Sequence, residues 1–288
     1  MPPAYQAVFA EWSPPIVLSG ILIVLGLVYV RGWLAIRKTR RDQFPLWRLA
    51  AFLSGLSVIW IAIASPLDGF ADVLLSAHMV EHLLLMSFVP PLLLLGYPVV
   101  PLLRGLPHGV AVHVFGPLIR IRGFRRLGHV LIVPLVAWLA MNLTFLGWHV
   151  PAAYDFALEH EHWHEFEHLC FLGTSILFWW PLVRPWPTRE SYAGWLLLLY
   201  LVMADIVNTV LSAFLAFCDR PVYPYYLKEL NPFGISPLSD QRAGAVVMWV
   251  VGSLVFLVPA VVLTLRLLQR EGLSRVGDLS SQKPAGRR

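Results

Sequence analysis

The sequence predicts an all-α membrane protein, a bundle of about seven transmembrane helices with the N-terminus outside and the C-terminus inside. Of its 288 residues, 58% are hydrophobic and only 14% are charged, whereas soluble globular proteins carry about 25% charged residues. Apolar runs recur along the whole chain, and several approach the roughly 20 residues that cross a bilayer as a helix. The basic residues lie mainly between alternate runs, which indicates the orientation.

Seven apolar runs are predicted to span the membrane. In chain order they cover residues 15–30, 49–65, 73–95, 130–148, 164–183, 192–218 and 243–268. The first two are short, so we expect their helices to extend into the flanking residues. The third contains Pro90-Pro91, which lack backbone donors and are expected to kink or break the helix. Residues 1–270 are thus predicted to form a single transmembrane domain, and the polar residues 271–288 a disordered cytoplasmic tail.

The distribution of positive charge predicts the orientation. With the N-terminus outside, the inner loops and the C-terminal tail hold all but three of the 22 Lys and Arg residues, the exceptions being Arg220, Lys228 and Arg242. Cytoplasmic loops are enriched in Lys and Arg, so this orientation is favoured over its reverse. The net charge of +5 therefore reflects topology, and we expect no nucleic-acid partner.

Most of the 10 histidines fall in the outer half of this topology. Two segments, His78 to His82 and His164 to His168, share the pattern H-x-x-E-H. Positions i, i+3 and i+4 lie on one face of a helix, so each segment presents two imidazoles and one carboxylate together. Ionisable groups within membrane helices are costly unless paired, and they usually face an interior site. We expect the two faces to oppose each other, with His149 at the same depth.

Three classes of protein are compatible with such a site. Imidazole binds copper, zinc, iron and nickel, and thioether sulfur shifts the preference to Cu(I), so a copper-handling protein is the first interpretation. A membrane zinc metallo-hydrolase is the alternative, because H-x-x-E-H is also a zinc-protease pattern. A haem or dinuclear redox enzyme is the third, although an i, i+4 pair on one helix cannot ligate both faces of a haem. The identity of the bound metal would separate the first two.

Three segments carry a resemblance to a known family. Residues 65–98, 148–181 and 236–252 are similar to the CtaG family of bacterial cytochrome c oxidase assembly factors. The resemblance implies a multi-pass protein of the bacterial plasma (inner) membrane that helps supply copper to the haem–copper catalytic subunit. The family's acidic motif falls on Asp240, followed here by Arg242 where glutamine is expected. Glu81 stands where glutamine is common, so it is either a metal ligand or a hydrogen-bond partner of His78.

The sequence therefore predicts a copper-binding assembly factor rather than a catalyst, with a site on the extracytoplasmic side. The predicted ligands of copper, expected as Cu(I), are His78, His82, His149, His164, His168, Glu81, Met79 and Met248. Capture is expected near residues 160–164. The expected partners are the oxidase catalytic subunit, a periplasmic or extracellular copper donor and the lipid bilayer. Small residues such as Gly194, Ala204 and Gly252 also permit an oligomer.

Overall fold

A computed structural model describes residues 12–13, 15–188, 192–228, 231 and 233–281, and these contain helices and no strand. The seven long helices are α1 (Ile16–Arg37), α2 (Leu46–Ala64), α3 (Leu75–Leu95), α4 (Pro134–Trp148), α5 (Glu161–Val183), α6 (Gly194–Phe217) and α7 (Pro237–Ser281). Short helices occupy Pro66–Ala71, Val99–Gly105, His108–Val110, Gly116–Arg120, Arg122–Leu131, Pro151–Leu158 and Tyr225–Lys228, and π-helical turns occupy Leu84–Phe88 and Ala111–Phe115. The predicted all-α class is confirmed.

Six of the long helices are apolar enough and long enough to cross a membrane, and α4 accounts for the difference from the predicted seven. It has 15 residues and follows Arg122–Leu131 at an angle of 72°. Pro134 occupies the first turn of α4, where its missing N–H costs nothing, but it cannot continue the preceding helix. The two helices together make the seventh candidate span, as a broken one.

The third helix occupies the centre of the bundle. It packs against α2, α5 and α7, while α5 also packs against α4, and α6 packs against α7 and α4. The first helix packs against α2 and the short helix Val99–Gly105. Residues on α3 are therefore placed to meet residues from several helices at once.

The two prolines of α3 do not break it. A π-helical turn at Leu84–Phe88 precedes them, and the helix continues to Leu95. The carbonyl of Met86 would accept from residue 90 or 91 in an α- or π-helix, and both are prolines without an N–H. The indole of Trp179 on α5 donates to this carbonyl instead, at 3.1 Å. The missing backbone bond thus becomes a contact between α3 and α5.

The ends of the chain differ in how far they are described. The last helix, α7, continues through residues 271–281, which were predicted to be disordered. A membrane helix can extend beyond the bilayer because its hydrogen bonds are internal to the segment. The rest of that predicted tail, residues 282–288, lies outside the described residues, as do residues 1–11. The N-outside orientation stays a prediction.

The small residues proposed for oligomer contacts are used within the chain. A Cβ on Gly252 would lie 2.7 Å from Nδ2 of Asn208, and one on Gly194 would lie 2.7 Å from Leu267. Ala204 is buried. These residues let α6 and α7 approach closely, as small residues do between membrane helices.

Candidate metal centre

The two H-x-x-E-H segments meet in the interior of the bundle, as the sequence predicts. The ring centroids of His78 and His164 are 5.1 Å apart, and those of His82 and His168 are 5.6 Å apart. Residue numbers rise together across the contact, which is the register of a parallel helix pair. Equivalent positions of the two segments therefore face each other.

The carboxylates are exchanged between the two helices. Nε2 of His82 on α3 lies 3.7 Å from Oε1 of Glu167 on α5, and Nε2 of His168 lies 4.0 Å from Oε2 of Glu81. We call the six residues the histidine–glutamate layer: His78, Glu81, His82, His164, Glu167 and His168. Glu167 was part of the predicted motif but not of the predicted ligand set, and the structure gives it a place equivalent to that of Glu81.

The layer is buried, and most of its polar atoms make no hydrogen bond with the described residues. His78 and Glu81 are fully buried, and Glu167 is 1% exposed. Both ring nitrogens of His78 and His82, both carboxylate oxygens of Glu167, and Nε2 of His164 and His168 make no hydrogen bond with the described residues. The carboxylate of Glu81 contacts the carboxyl group of Asp68. Buried polar groups in proteins are almost always hydrogen-bonded, so each exception requires an explanation. A bound cation would supply a partner for the carboxylate oxygens and for the unprotonated nitrogen of each imidazole.

Two groups in the layer have the spacing of metal ligands. Donor atoms of His78, His82 and Glu167 all lie within 4.8 Å of one another, and so do those of His78, Glu81 and His164. Both groups combine imidazole with carboxylate, a donor set suited to several transition metals. His78 belongs to both, so the layer offers two overlapping sites around one central imidazole.

The other predicted ligands lie beside this layer. His149 follows α4, with its ring centroid 6.3 Å from that of His82, and its Nδ1 lies 2.7 Å from the carbonyl oxygen of Phe145. Met79 and Met248 are buried and line an internal cavity together with His82 and His149. His149 belongs to neither of the two ligand-spaced groups.

The start of α3 is held by a carboxylate from α7. Asp240 accepts hydrogen bonds from the backbone N–H groups of Leu75 and Ser76, at 2.6 and 3.3 Å, and from the hydroxyl of Ser76. These donors belong to the first turn of α3, where backbone N–H groups have no partner within the helix. The layer begins one turn later, so Asp240 positions it without touching it.

A group of tyrosines covers the layer, and sequence reasoning missed it. The ring of Tyr154 lies 5.2 Å from that of His78, and its hydroxyl lies 3.3 Å from the hydroxyl of Tyr226. Tyr226 donates to the carbonyl of Ala71 at 3.0 Å. Burial raises the pKa of both Tyr154 and Tyr226 well above the ordinary value, so both hydroxyls remain protonated. No spacing relates these residues in the sequence, since they come from separate short helices.

An acidic groove leads from the surface to the layer. It runs beside the start of α5, and its lining is mostly apolar, with the polar residues Asp68, Glu161, Glu165, His164 and His168. Burial raises the pKa of Asp68 above its ordinary value, which favours its neutral form. Glu161 and Glu165 are exposed, and His162, which is also exposed, pairs with Glu165 at 3.4 Å. The two exposed carboxylates thus offer negative charge to an approaching cation before it meets His164.

Comparison with known proteins gives a family and a few relatives. A family model described as cytochrome c oxidase caa3 assembly factor matches residues 27–270. Uncharacterized proteins of Mycobacterium bovis and Mycobacterium tuberculosis are each 28% identical over 260 residues, and one of Mycobacterium leprae is 28% identical over 262. The matches cover 86% of this chain but 38% of each relative, so the chain spans less than two fifths of their length. No solved structure matches the chain significantly.

Proposed function

The chain belongs to the family of cytochrome c oxidase caa3 assembly factors, and we propose that it serves assembly by binding copper in the histidine–glutamate layer and delivering it to the haem–copper subunit. Copper is the cargo here, not a resident catalytic cofactor. The protein needs no chemistry of its own beyond binding, orienting and releasing the ion. We therefore propose a metal chaperone of the oxidase rather than an enzyme.

One observation carries this proposal, the buried and unpaired polar atoms of the layer. Leaving them unpaired costs free energy in the apolar interior of a membrane protein. A purely structural role would favour hydrogen-bonded groups or apolar side chains, because the attraction within a buried ion pair often does no more than offset the cost of removing both charges from water. A site that must accept and give up a cation has a reason to keep its donor atoms without other partners.

The donor set supports copper as the ion. The layer offers imidazoles, which suit both oxidation states, and Met79 and Met248 lie in the adjoining cavity. Thioether sulfur favours Cu(I) over Zn²⁺. Carboxylates alone would favour harder cations, but in this layer His78 contributes to both ligand-spaced groups.

The proposed location is the bacterial plasma membrane, with the layer toward the extracytoplasmic side. The positive-inside distribution of Lys and Arg supports this orientation. Copper would then arrive from a donor outside the membrane, pass along the acidic groove to His164 and enter the layer. The oxidase subunit would accept it laterally, within the outer half of the bilayer.

The proposal is tested by metal analysis of the purified protein. Wild type, His78→Ala/His168→Ala and the control His162→Ala are prepared in detergent and loaded with Cu(I) under reducing conditions. The control removes a histidine whose side chain is 93% exposed and lies outside the layer. We expect copper in wild type and control, and its loss from the layer in the double variant, which should elute as a folded protein on size exclusion. Full copper occupancy in the double variant would contradict the proposal.

The same measurement separates the alternatives. Zinc in wild type as isolated, lost in the double variant, would favour the metallo-hydrolase. Expression of each variant with a haem–copper oxidase then tests delivery. We expect the copper content of the oxidase to fall with the double variant and to remain normal with His113→Ala, which replaces an exposed histidine outside residues 160–164.

A further inference from the structure

A cavity lies next to the histidine–glutamate layer, in the core of the bundle. It has a volume of about 40 Å³ and is lined by residues from α3, α4, α5, α6 and α7. Four of the 6 methionines in the chain line it, together with two histidines. These lining residues are Met79, Met86, Met141, Met248, His82 and His149.

The two histidines that line this cavity have ring nitrogens without a hydrogen-bond partner among the described residues. His149 is 5% exposed, and its Nδ1 lies 2.7 Å from the carbonyl oxygen of Phe145. A carbonyl can only accept, so Nδ1 carries the proton and Nε2 has a lone pair, the usual way in which a ligand imidazole is oriented. This Nε2 is buried and has no hydrogen-bond partner among the described residues, nor has either nitrogen of His82.

The methionines are more than core filler at this place. Methionine commonly fills irregular gaps, but here the gap remains. A cavity needs about 10–15 Å³ to hold one water molecule, so this one has room for an ion. Met79, Met141 and Met248 are all at most 6% exposed, so their thioethers are shielded from water on the inner side of the layer.

We propose that this cavity is a second site for Cu(I), with methionine thioethers and the Nε2 atom of His149 as its ligands. The identity of the ion rests on the proposed function. Thioether and imidazole form a soft, uncharged donor set, which suits Cu(I) and disfavours Zn²⁺ and harder ions. The layer has two carboxylates and the cavity has none. His82 lines the cavity and belongs to the layer, so the two sites share this imidazole.

The test uses the full chain in detergent, loaded anaerobically with a Cu(I)–acetonitrile complex. Copper per protein is measured by mass spectrometry, and copper K-edge X-ray absorption reports sulfur or nitrogen and oxygen neighbours. The cavity variant is Met86→Leu/Met141→Leu, which nearly conserves volume and so should fold. The control is Met203→Leu, on the outer surface of α6 with 39% exposure.

We expect two copper ions in wild type and in the control, with sulfur neighbours visible. The cavity variant keeps Met79 and Met248, so it should lose much of the sulfur signal and up to half of the copper, while His78→Ala/His168→Ala should keep the sulfur signal. Saturated wild type without sulfur neighbours, or an unchanged sulfur signal in the cavity variant, would overturn the second site and leave the layer standing. Sulfur-bound copper alone, unaffected by the histidine variants, would instead overturn the layer. Wild type that binds no Cu(I) would overturn both.

Discussion

Between α3 and α5, buried polar atoms lack hydrogen bonds at one level of the interface and make them at another. At the histidine–glutamate layer, eight nitrogen and oxygen atoms of His78, His82, His164, Glu167 and His168 are buried without a hydrogen bond to the described residues. Further along the same two helices, the carbonyl of Met86 that Pro90 and Pro91 leave free receives the indole N–H of Trp179. Close by, the hydroxyl of Tyr200 donates to the carbonyl of Phe178 at 2.8 Å.

The contrast separates structure from function within one interface. A chain that can bring an indole to one orphaned carbonyl could also pair its imidazoles, or replace them by leucine. The layer's atoms without hydrogen bonds are therefore best explained by a ligand that binds reversibly. We expect substitutions at the supporting level to change stability, and substitutions in the layer to change copper binding.

The largest loss of stability is expected for Asp240→Ala. Its carboxylate accepts two backbone N–H groups and one hydroxyl at the start of α3, and all three would be left without an acceptor. We expect the free energy of unfolding to fall by about 3 kcal/mol, since each unsatisfied buried donor costs 1–3 kcal/mol. Titration with denaturing detergent measures it.

The control for Asp240→Ala is Asp205→Ala, which removes a carboxylate bound by one hydroxyl, that of Ser253 at 2.7 Å. We expect it to cost less than about 1 kcal/mol. An equal decrease in the free energy of unfolding in the two variants would show that the contact of Asp240 with α3 stabilises the protein no more than a single hydrogen bond does.

A smaller loss is expected for Gly252→Ala in α7. The added Cβ would lie 2.7 Å from Nδ2 of Asn208, which donates to the carbonyl of Met248 at 3.3 Å. Overpacking of this kind costs about 1–3 kcal/mol. Gly252 also lines the cavity next to the histidine–glutamate layer, so the amount of sulfur-bound copper should fall in the same variant. The control is Gly173→Ala in α5, where a Cβ meets nothing within 4 Å and helix propensity favours alanine by about 1 kcal/mol.

Local sequence patterns predicted the layer but not what surrounds it. The spacing of His78, Glu81 and His82 places them on one face whatever the fold, and membrane burial then turns that face inward. The partnership of Asp240 with Ser76 joins residues 164 positions apart, and no local pattern carries such a contact. Tyr154 was missed for the same reason. The break before Pro134 was missed because residues 130–148 are predominantly apolar, and hydropathy does not register a bend.

We expect Trp179→Phe to lower the free energy of unfolding by about 1 kcal/mol. The substitution keeps an aromatic ring and removes the N–H that donates to the carbonyl of Met86. Interhelical hydrogen bonds in membrane proteins average about 0.6 kcal/mol and reach about 1.7. Trp179 also lines the cavity next to the layer, so the copper to follow is that bound in the layer, which should stay unchanged. Trp195→Phe, on α6 with 64% exposure, is the control and should leave stability as it is. A loss of copper without a loss of stability in Trp179→Phe would mean that the two levels are not separate.

The smallest change in stability is expected where the sequence looks most important, in the layer itself. His82→Leu/Glu167→Leu removes two residues whose nearest polar atoms lie 3.7 Å apart and whose side-chain atoms make no hydrogen bond with the described residues. Replacing buried polar partners by apolar groups of similar volume is often neutral or stabilising, so the free energy of unfolding without copper should stay within about 1 kcal/mol of wild type or rise. Saturating Cu(I) should then stabilise wild type, by about 2.7 kcal/mol at a hundred times the dissociation constant, and stabilise the variant less. A large loss of stability in copper-free variant protein would show that the layer holds the bundle together, and its unpaired atoms would need a different explanation.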